Sequence, residues 1–249
     1  PALLGQRIVV PIVANLPDDA KFNKFTPKIG VEYKASNDVL LFASYAKGFR
    51  SGGFNGRLIA PQRTVPSYDP DTNDAYEIGF KSDLADRRLR LNGTAFYSKY
   101  KGIQQTISDP AVQFRVANAG DATLKGFELE LNAVPADGLR FDVGLGYTDS
   151  EFKNVPALVG PINGNQLPFS PKWTVALGAE YAADLGTGGK LTPRVDWRYQ
   201  AKTFFTAFNL PFEQQSGYGL LSARITWTDA DDRFSISAYG DNLTDKEYY

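Results

Sequence analysis

Leu139-Arg140-Phe141-Asp142-Val143-Gly144-Leu145-Gly146-Tyr147-Thr148 puts an apolar residue at every odd position and a polar residue or glycine at every even one. A β-strand turns successive side chains to opposite faces, so this stretch has one greasy face and one wet face. Its length decides the fold. Strands in soluble sheets commonly run about five or six residues, whereas about ten residues at a barrel tilt cross a bilayer.

Working outward, the pattern returns in nearly every strand, in hairpins whose tight turns recur roughly every 50 residues. Five hairpins are predicted. Lys28 to Lys34 pairs with Val39 to Lys47, Ala75 to Ser82 with Arg88 to Lys101, and Leu124 to Val134 with Leu139 to Thr148. Lys172 to Tyr181 pairs with Lys190 to Gln200, and Tyr218 to Thr228 with Arg233 to Asp241. The turns carry Gly, Pro, Asn, Asp or Ser, as short reversals require, and Asp83 to Arg87 is the poorest in them.

The other connections are long: Gly48 to Asp74, Gly102 to Thr123, Asp149 to Pro171 and Ala201 to Gly217. Strict alternation of short and long connections matches outer-membrane barrels, with short turns in the periplasm and long loops outside. A β-propeller has a similar period but needs four short strands per blade.

The registers separate the faces. Ile29, Val31 and Tyr33, then Tyr76, Ile78 and Phe80, then Phe127, Leu129 and Leu131, then Trp173, Val175 and Leu177 fall on a charge-free side, as lipid requires. Tyr33, Tyr97, Tyr147, Trp173, Tyr181 and Trp227 favour strand ends, the girdle position. Glu32, Glu77, Lys81, Glu128, Glu130, Asp142, Glu180, Arg194, Asp196, Arg198 and Arg224 fall on the other side, a wet lumen. Pro193 on the lipid register counts against that strand.

Composition sets bounds. A net charge of −1 gives no electrostatic case for nucleic acid. Mean hydropathy is −0.31, and the longest apolar run, Ile8 to Ala14, contains Pro11 and is too short for a membrane helix. Low hydropathy does not count against a barrel, since only alternate residues face lipid. Cys, His and Met are absent, so a disulfide, the usual zinc or haem sites and a Ser-His-Asp centre cannot be built from this chain. Neither an enzyme nor a cofactor is expected. The chain opens at Pro1 without Met or signal segment, which points to a fragment or processed chain.

Three stretches invite a site. Glu128 and Glu130 share a face, but neighbours on one strand cannot flank a bond as paired catalytic carboxylates do. Asp69 to Asp74 is acidic enough to raise a calcium loop, yet lacks the Gly and distal Glu. Gly48 to Arg57 lacks a phosphate loop's Lys-Ser/Thr; its Gly, Phe and Arg content suits an outer loop that touches ligand or other loops.

Four pieces carry a family resemblance: Phe42-Ala43-Ser44-Tyr45-Ala46-Lys47-Gly48-Phe49-Arg50-Ser51-Gly52-Gly53, Tyr76-Glu77-Ile78-Gly79-Phe80-Lys81, Lys125-Gly126-Phe127-Glu128-Leu129-Glu130 and the closing Asp241-Asn242-Leu243-Thr244-Asp245-Lys246-Glu247-Tyr248-Tyr249. In this order they resemble the C-terminal barrel of TonB-dependent outer-membrane receptors. The resemblance implies an all-β, antiparallel transmembrane barrel of about 22 strands, of which this chain holds about ten, roughly strands 12 to 21. By that alignment residues 1–26 end a preceding strand or loop region, and residues 27–249 are a partial barrel lacking its final strand and the plug domain. Such a piece has two open edges and is not expected to be a stable membrane protein alone.

The resemblance further implies Gram-negative outer-membrane location and active uptake of a scarce small nutrient, most often a ferric siderophore. The TonB–ExbB–ExbD complex would energise it through the absent N-terminal parts. The loop residues expected to touch ligand are Arg50, Phe54, Arg57, Gln105, Phe205 and Phe208. Alternation and loop asymmetry alone fit a passive porin-type diffusion channel equally well.

Overall fold

The computed structural model describes residues 19–56, 65–109 and 113–249. Ten strands form the wall. They are β1 (Lys28–Lys34), β2 (Val39–Arg50), β3 (Asp71–Leu84), β4 (Leu89–Lys101), β5 (Asp121–Ala136), β6 (Leu139–Lys153), β7 (Trp173–Tyr181), β8 (Lys190–Gln200), β9 (Tyr218–Thr228) and β10 (Ser235–Gly240). Each pairs antiparallel with its neighbours in chain order, and the two-residue strand Ala183–Asp184 joins the side of β8. The stretch Ile8 to Ala14 and most of the predicted leading segment 1–26 lie outside the described residues.

The five predicted hairpins are present. Several strands outrun their predicted bounds at the long-loop end: β3 begins at Asp71, β6 reaches Lys153 and β2 reaches Arg50. Backbone pairing continues there after the apolar alternation has stopped, which is why sequence pattern ends these strands early.

Register sorts the side chains by face. One row runs Leu91, Leu131, Val143, Leu177, Trp197, Leu221 through six adjacent strands. A row nearer the loops runs Val31, Ala43, Ile78, Ala95, Phe127, Tyr147, Trp173. None of these side chains is buried, and Val31 and Ile78 are 67% and 63% exposed, as lipid contact demands. Aromatic rings collect where the wall meets the interfaces. Tyr45, Tyr76 and Tyr97 follow one another at 5.1 and 6.3 Å, and Tyr147 lies 4.7 Å from Trp173. At the turn end Trp227 meets Phe234 at 5.5 Å. Among the described residues charge re-enters this face beside the upper girdle, where Lys47 pairs with Asp74 at 3.5 Å and Lys125, opposite Tyr97, pairs with Asp149 at 3.5 Å.

The lumen face carries the predicted charges. Arg194 reaches Asp142 at 3.0 Å, Asp196 at 2.7 Å and Glu180 at 3.7 Å. Gly178 leaves room for it, since a Cβ there would meet the guanidinium at 2.7 Å. Pro193 is a correction: it lies within β8, opposite Ile225 of β9. The ladder to β7 stops at Glu180–Arg194 and resumes at Ala183–Leu191, so the skipped position asks for no N–H from the ring.

The turn between β3 and β4 is strained. Ala85, Asp86 and Arg87 all have left-handed backbone, at φ of 50, 53 and 67°. An L-residue pays roughly 1–2 kcal/mol there. Ala85→Gly is therefore expected to stabilise the full-length protein by about 1 kcal/mol, seen as a raised midpoint of urea unfolding in detergent. The closing signature also has a local job. Asn242, at φ 49°, accepts from the Lys246 N–H at 2.9 Å and donates to the Lys246 carbonyl at 3.1 Å. This small loop stops β10 at Gly240 and brings Tyr248 back to stack on Tyr218 at 4.7 Å.

Candidate functional site

The apolar core lies above the wall rather than within it. Ile103, Ile107 and Ala119 of the second long loop meet Phe152, Ile162 and Leu167 from the top of β6 and the third loop; Ala207 and Phe208 of the fourth pack against them. Within the membrane the strands spend their apolar side chains on lipid, so the buried cluster comes from the long loops and the strand tops beside them. The second loop carries its own hairpin, Gln104–Asp109 with Gln113–Asn118, to hold its share in place.

Polar side chains bolt the loops pairwise. Arg50, at the end of β2, donates to Asp71 at 2.5 Å and to the Gln104 carbonyl at 3.1 Å. Asp71 also accepts the Gln104 N–H at 3.1 Å, and the Gln104 amide donates to the carbonyls of Ser51 and Asp69 at 2.9 and 3.0 Å. Asn55 accepts the Val116 N–H at 2.7 Å and donates to the Val116 carbonyl at 3.0 Å, as a paired strand residue would. Asn118 does the same to Asp69, at 2.7 and 2.9 Å. Between the third and fourth loops, Asn209 accepts from the Gln166 N–H at 2.8 Å and donates to its carbonyl at 2.9 Å.

Two expected ligand residues meet at one place. Arg50 and Gln105 both line a hollow of about 420 Å³ at the roots of the first two loops, with Asn73, Tyr100, Leu124 and Leu167. Its wall residues Asn73 and Leu124 share the register of Glu77 and Glu128, so it opens on the lumen side. Phe54 sits in a short strand paired with Ser67. Phe205 turns toward Phe169, ring centres 5.8 Å apart, while Phe208 packs on the loop core and does not line the hollow. Arg57 lies outside the described residues. Asn55, Asn73, Gln104 and Asn118 were not picked out from sequence, because a polar loop residue looks alike whether it bridges loops or faces solvent.

The acidic stretch is occupied by other work. Asp71 holds Arg50, and Asp74 accepts the Tyr45 hydroxyl at 2.7 Å and pairs with Lys47 at 3.5 Å. Among the described residues no acidic group is arranged to hold a metal ion. Glu128 and Glu130 stand on the lumen wall beside the glycines of β6, with Arg198 across the trough.

A family model described as TonB dependent receptor-like, beta-barrel, matches residues 12–243. The chain belongs to the TonB-dependent receptor β-barrel family. Membership places the wall in the outer membrane of a Gram-negative cell. The pesticin receptor of Yersinia pestis is 28% identical over 221 residues, covering 89% of this chain and 31% of the relative. The metal-pseudopaline receptor CntO of Pseudomonas aeruginosa is 35% identical over 126 residues, 51% of this chain and 17% of the relative. The crystal structure of the ferric yersiniabactin uptake receptor FyuA from Yersinia pestis superposes with a TM-score of 0.75 at 26% identity, covering 89% of this chain and 32% of that one. The chain thus spans about a third of the length of the first curated relatives it matches.

The Arg50–Asp71–Gln104 junction of this receptor wall is testable. Asp71→Leu would leave the Gln104 N–H buried without its acceptor, a loss of about 1–3 kcal/mol. Full-length receptor carrying it is expected to be cut faster by protease between residues 51 and 70, and an unchanged cleavage rate would show that the junction holds nothing.

Proposed function

We propose that this wall belongs to an active importer of a scarce metal chelate, a ferric siderophore, in which the long loops form the entry. The supporting observation is family membership over nearly the whole chain, with relatives named as receptors for ferric or metal-bound ligands. The loop layer fits this role. It stands on the long-loop side of the wall, is tied together by side chains and contains a hollow opening on the lumen. Arg50 and Gln105 at the hollow and Phe205 beside Phe169 are the loop contacts this reading uses; Phe54 and Arg57 extend it along the first loop.

The wall's part is to bind and to pass ligand inward, not to catalyse. Energy for release would come from the TonB–ExbB–ExbD complex acting through parts of the receptor outside this chain. Lipid contacts the outward rows.

Full-length receptor in detergent should bind one member of a ferric siderophore panel with submicromolar affinity. A strain lacking it should lose growth on that siderophore, and so should a strain lacking TonB. Solute conductance without any saturable binding would instead describe a passive pore and end this reading.

A further inference from the structure

The hollow at the loop roots has a chemical bias. Its cationic and anionic groups come as a pair: Arg50 donates from Nε and Nη2 to Asp71, which also accepts the Gln104 N–H. A ligand carboxylate or ammonium entering there would shed water and meet a charge already paired with its opposite, so its gain is smaller than at a lone charge. The floor is apolar, built from Tyr100, Ile103, Leu124 and Leu167. One wall residue carries an unpaired acceptor. The side-chain oxygen of Asn73 is buried and has no hydrogen-bond partner among the described residues. A buried acceptor left unpaired costs free energy that a donor recovers. Its partner must be an N–H or O–H, because an oxygen without hydrogen would only repel it.

We propose that this hollow is a ligand subsite for a neutral hydrogen-bond donor carried on an apolar ring, such as a primary amide or phenol, with Asn73 as its acceptor. A turn of the Asn73 amide brings its oxygen to the incoming donor while the ring lies on Tyr100, Leu124 and Leu167. The proposal rests on the importer reading for its purpose, since such a group would be one arm of the chelate. The chemistry of the hollow can be measured without that reading.

Full-length receptor in detergent is titrated with benzamide, benzoate and toluene, and binding is read by saturation-transfer NMR against empty micelles. These three rings donate, only accept, or do neither. Benzamide should bind about fivefold tighter than the other two, the ratio expected of one neutral hydrogen bond. Asn73→Leu should bring benzamide down to the level of toluene, whereas Asn73→Asp, which keeps an acceptor, should retain its lead. Leu167→Trp fills the hollow and should remove binding of all three. Equal affinities in the wild type, or a benzamide lead that survives Asn73→Leu, overturns the proposal. If Asn73→Leu does not assemble, a lead that persists in Leu167→Trp places the binding elsewhere and overturns it as well. Ferric siderophore binding is measured on the same samples. Its absence alongside a benzamide lead sinks the importer reading and leaves the subsite standing; its presence without that lead does the reverse.

Discussion

Leu177→Arg in the full-length receptor should prevent most of the protein from assembling, while Thr174→Arg three residues earlier should be tolerated. Leu177 lies midway along β7 between the girdle residues Trp173 and Tyr181, and it is 41% exposed in a row otherwise of Leu, Val and Trp. A cation at mid-bilayer on the lipid face costs about 2–4 kcal/mol, enough to shift the assembled fraction by a factor on the order of 10². Thr174 points the other way. It pairs with Gly146 and Gln200 on the lumen face, where Glu128 stands one strand further. An arginine there has water and a carboxylate within reach, so a change under about 0.5 kcal/mol is expected. Heat-modifiable mobility and urea unfolding in lipid vesicles report both variants. Equal behaviour of the pair would mean that the faces are assigned wrongly.

The 249-residue chain expressed alone should accumulate as inclusion bodies. Among the described residues its sheet is open: along the wall β1 has only β2 as partner, and β10 only β9. All seven residues of β1 are exposed, including Ile29, Val31 and Tyr33. In hydrocarbon every unpaired backbone N–H or C=O on such an edge costs several kcal/mol, and a run of them exceeds the whole stability of a domain. In water the same apolar row promotes edge-to-edge association. A monomeric, heat-modifiable species in detergent would falsify this, because it would require the two edges to find each other.

Some of this structure was legible residue by residue. The hairpin turns, the lipid row through Leu131 and Leu177 and the lumen row through Glu128 and Arg198 follow from a period of two. In a strand that period assigns a face whatever the partner is. Pro193 misled because a missing N–H matters only on the side where a neighbour needs it. The neighbour's break at Ala182 is not written near Pro193 in the sequence. The upper ends of β3 and β6 were invisible for another reason: above the membrane the alternation lapses, with Asp71 to Asp74 polar throughout and Phe152 the lone apolar residue between Thr148 and Lys153.

The candidate site was less legible. Arg50, Gln105, Phe205 and Phe208 drew notice for their side-chain chemistry, but only the first two share the hollow, and Phe208 packs into the loop core. The residues that shape the site act across long separations, with Asn55 bonded to Val116 61 positions away and Arg50 to Gln104 across 54. The sequence by itself determined the wall: its strands, its two faces and the side on which loops gather, because neighbouring residues and the bilayer impose those locally. Only the tertiary structure decided which loop residues converge, because loop contacts follow no period and are set by the one packing that buries Phe152 and Ile162 together.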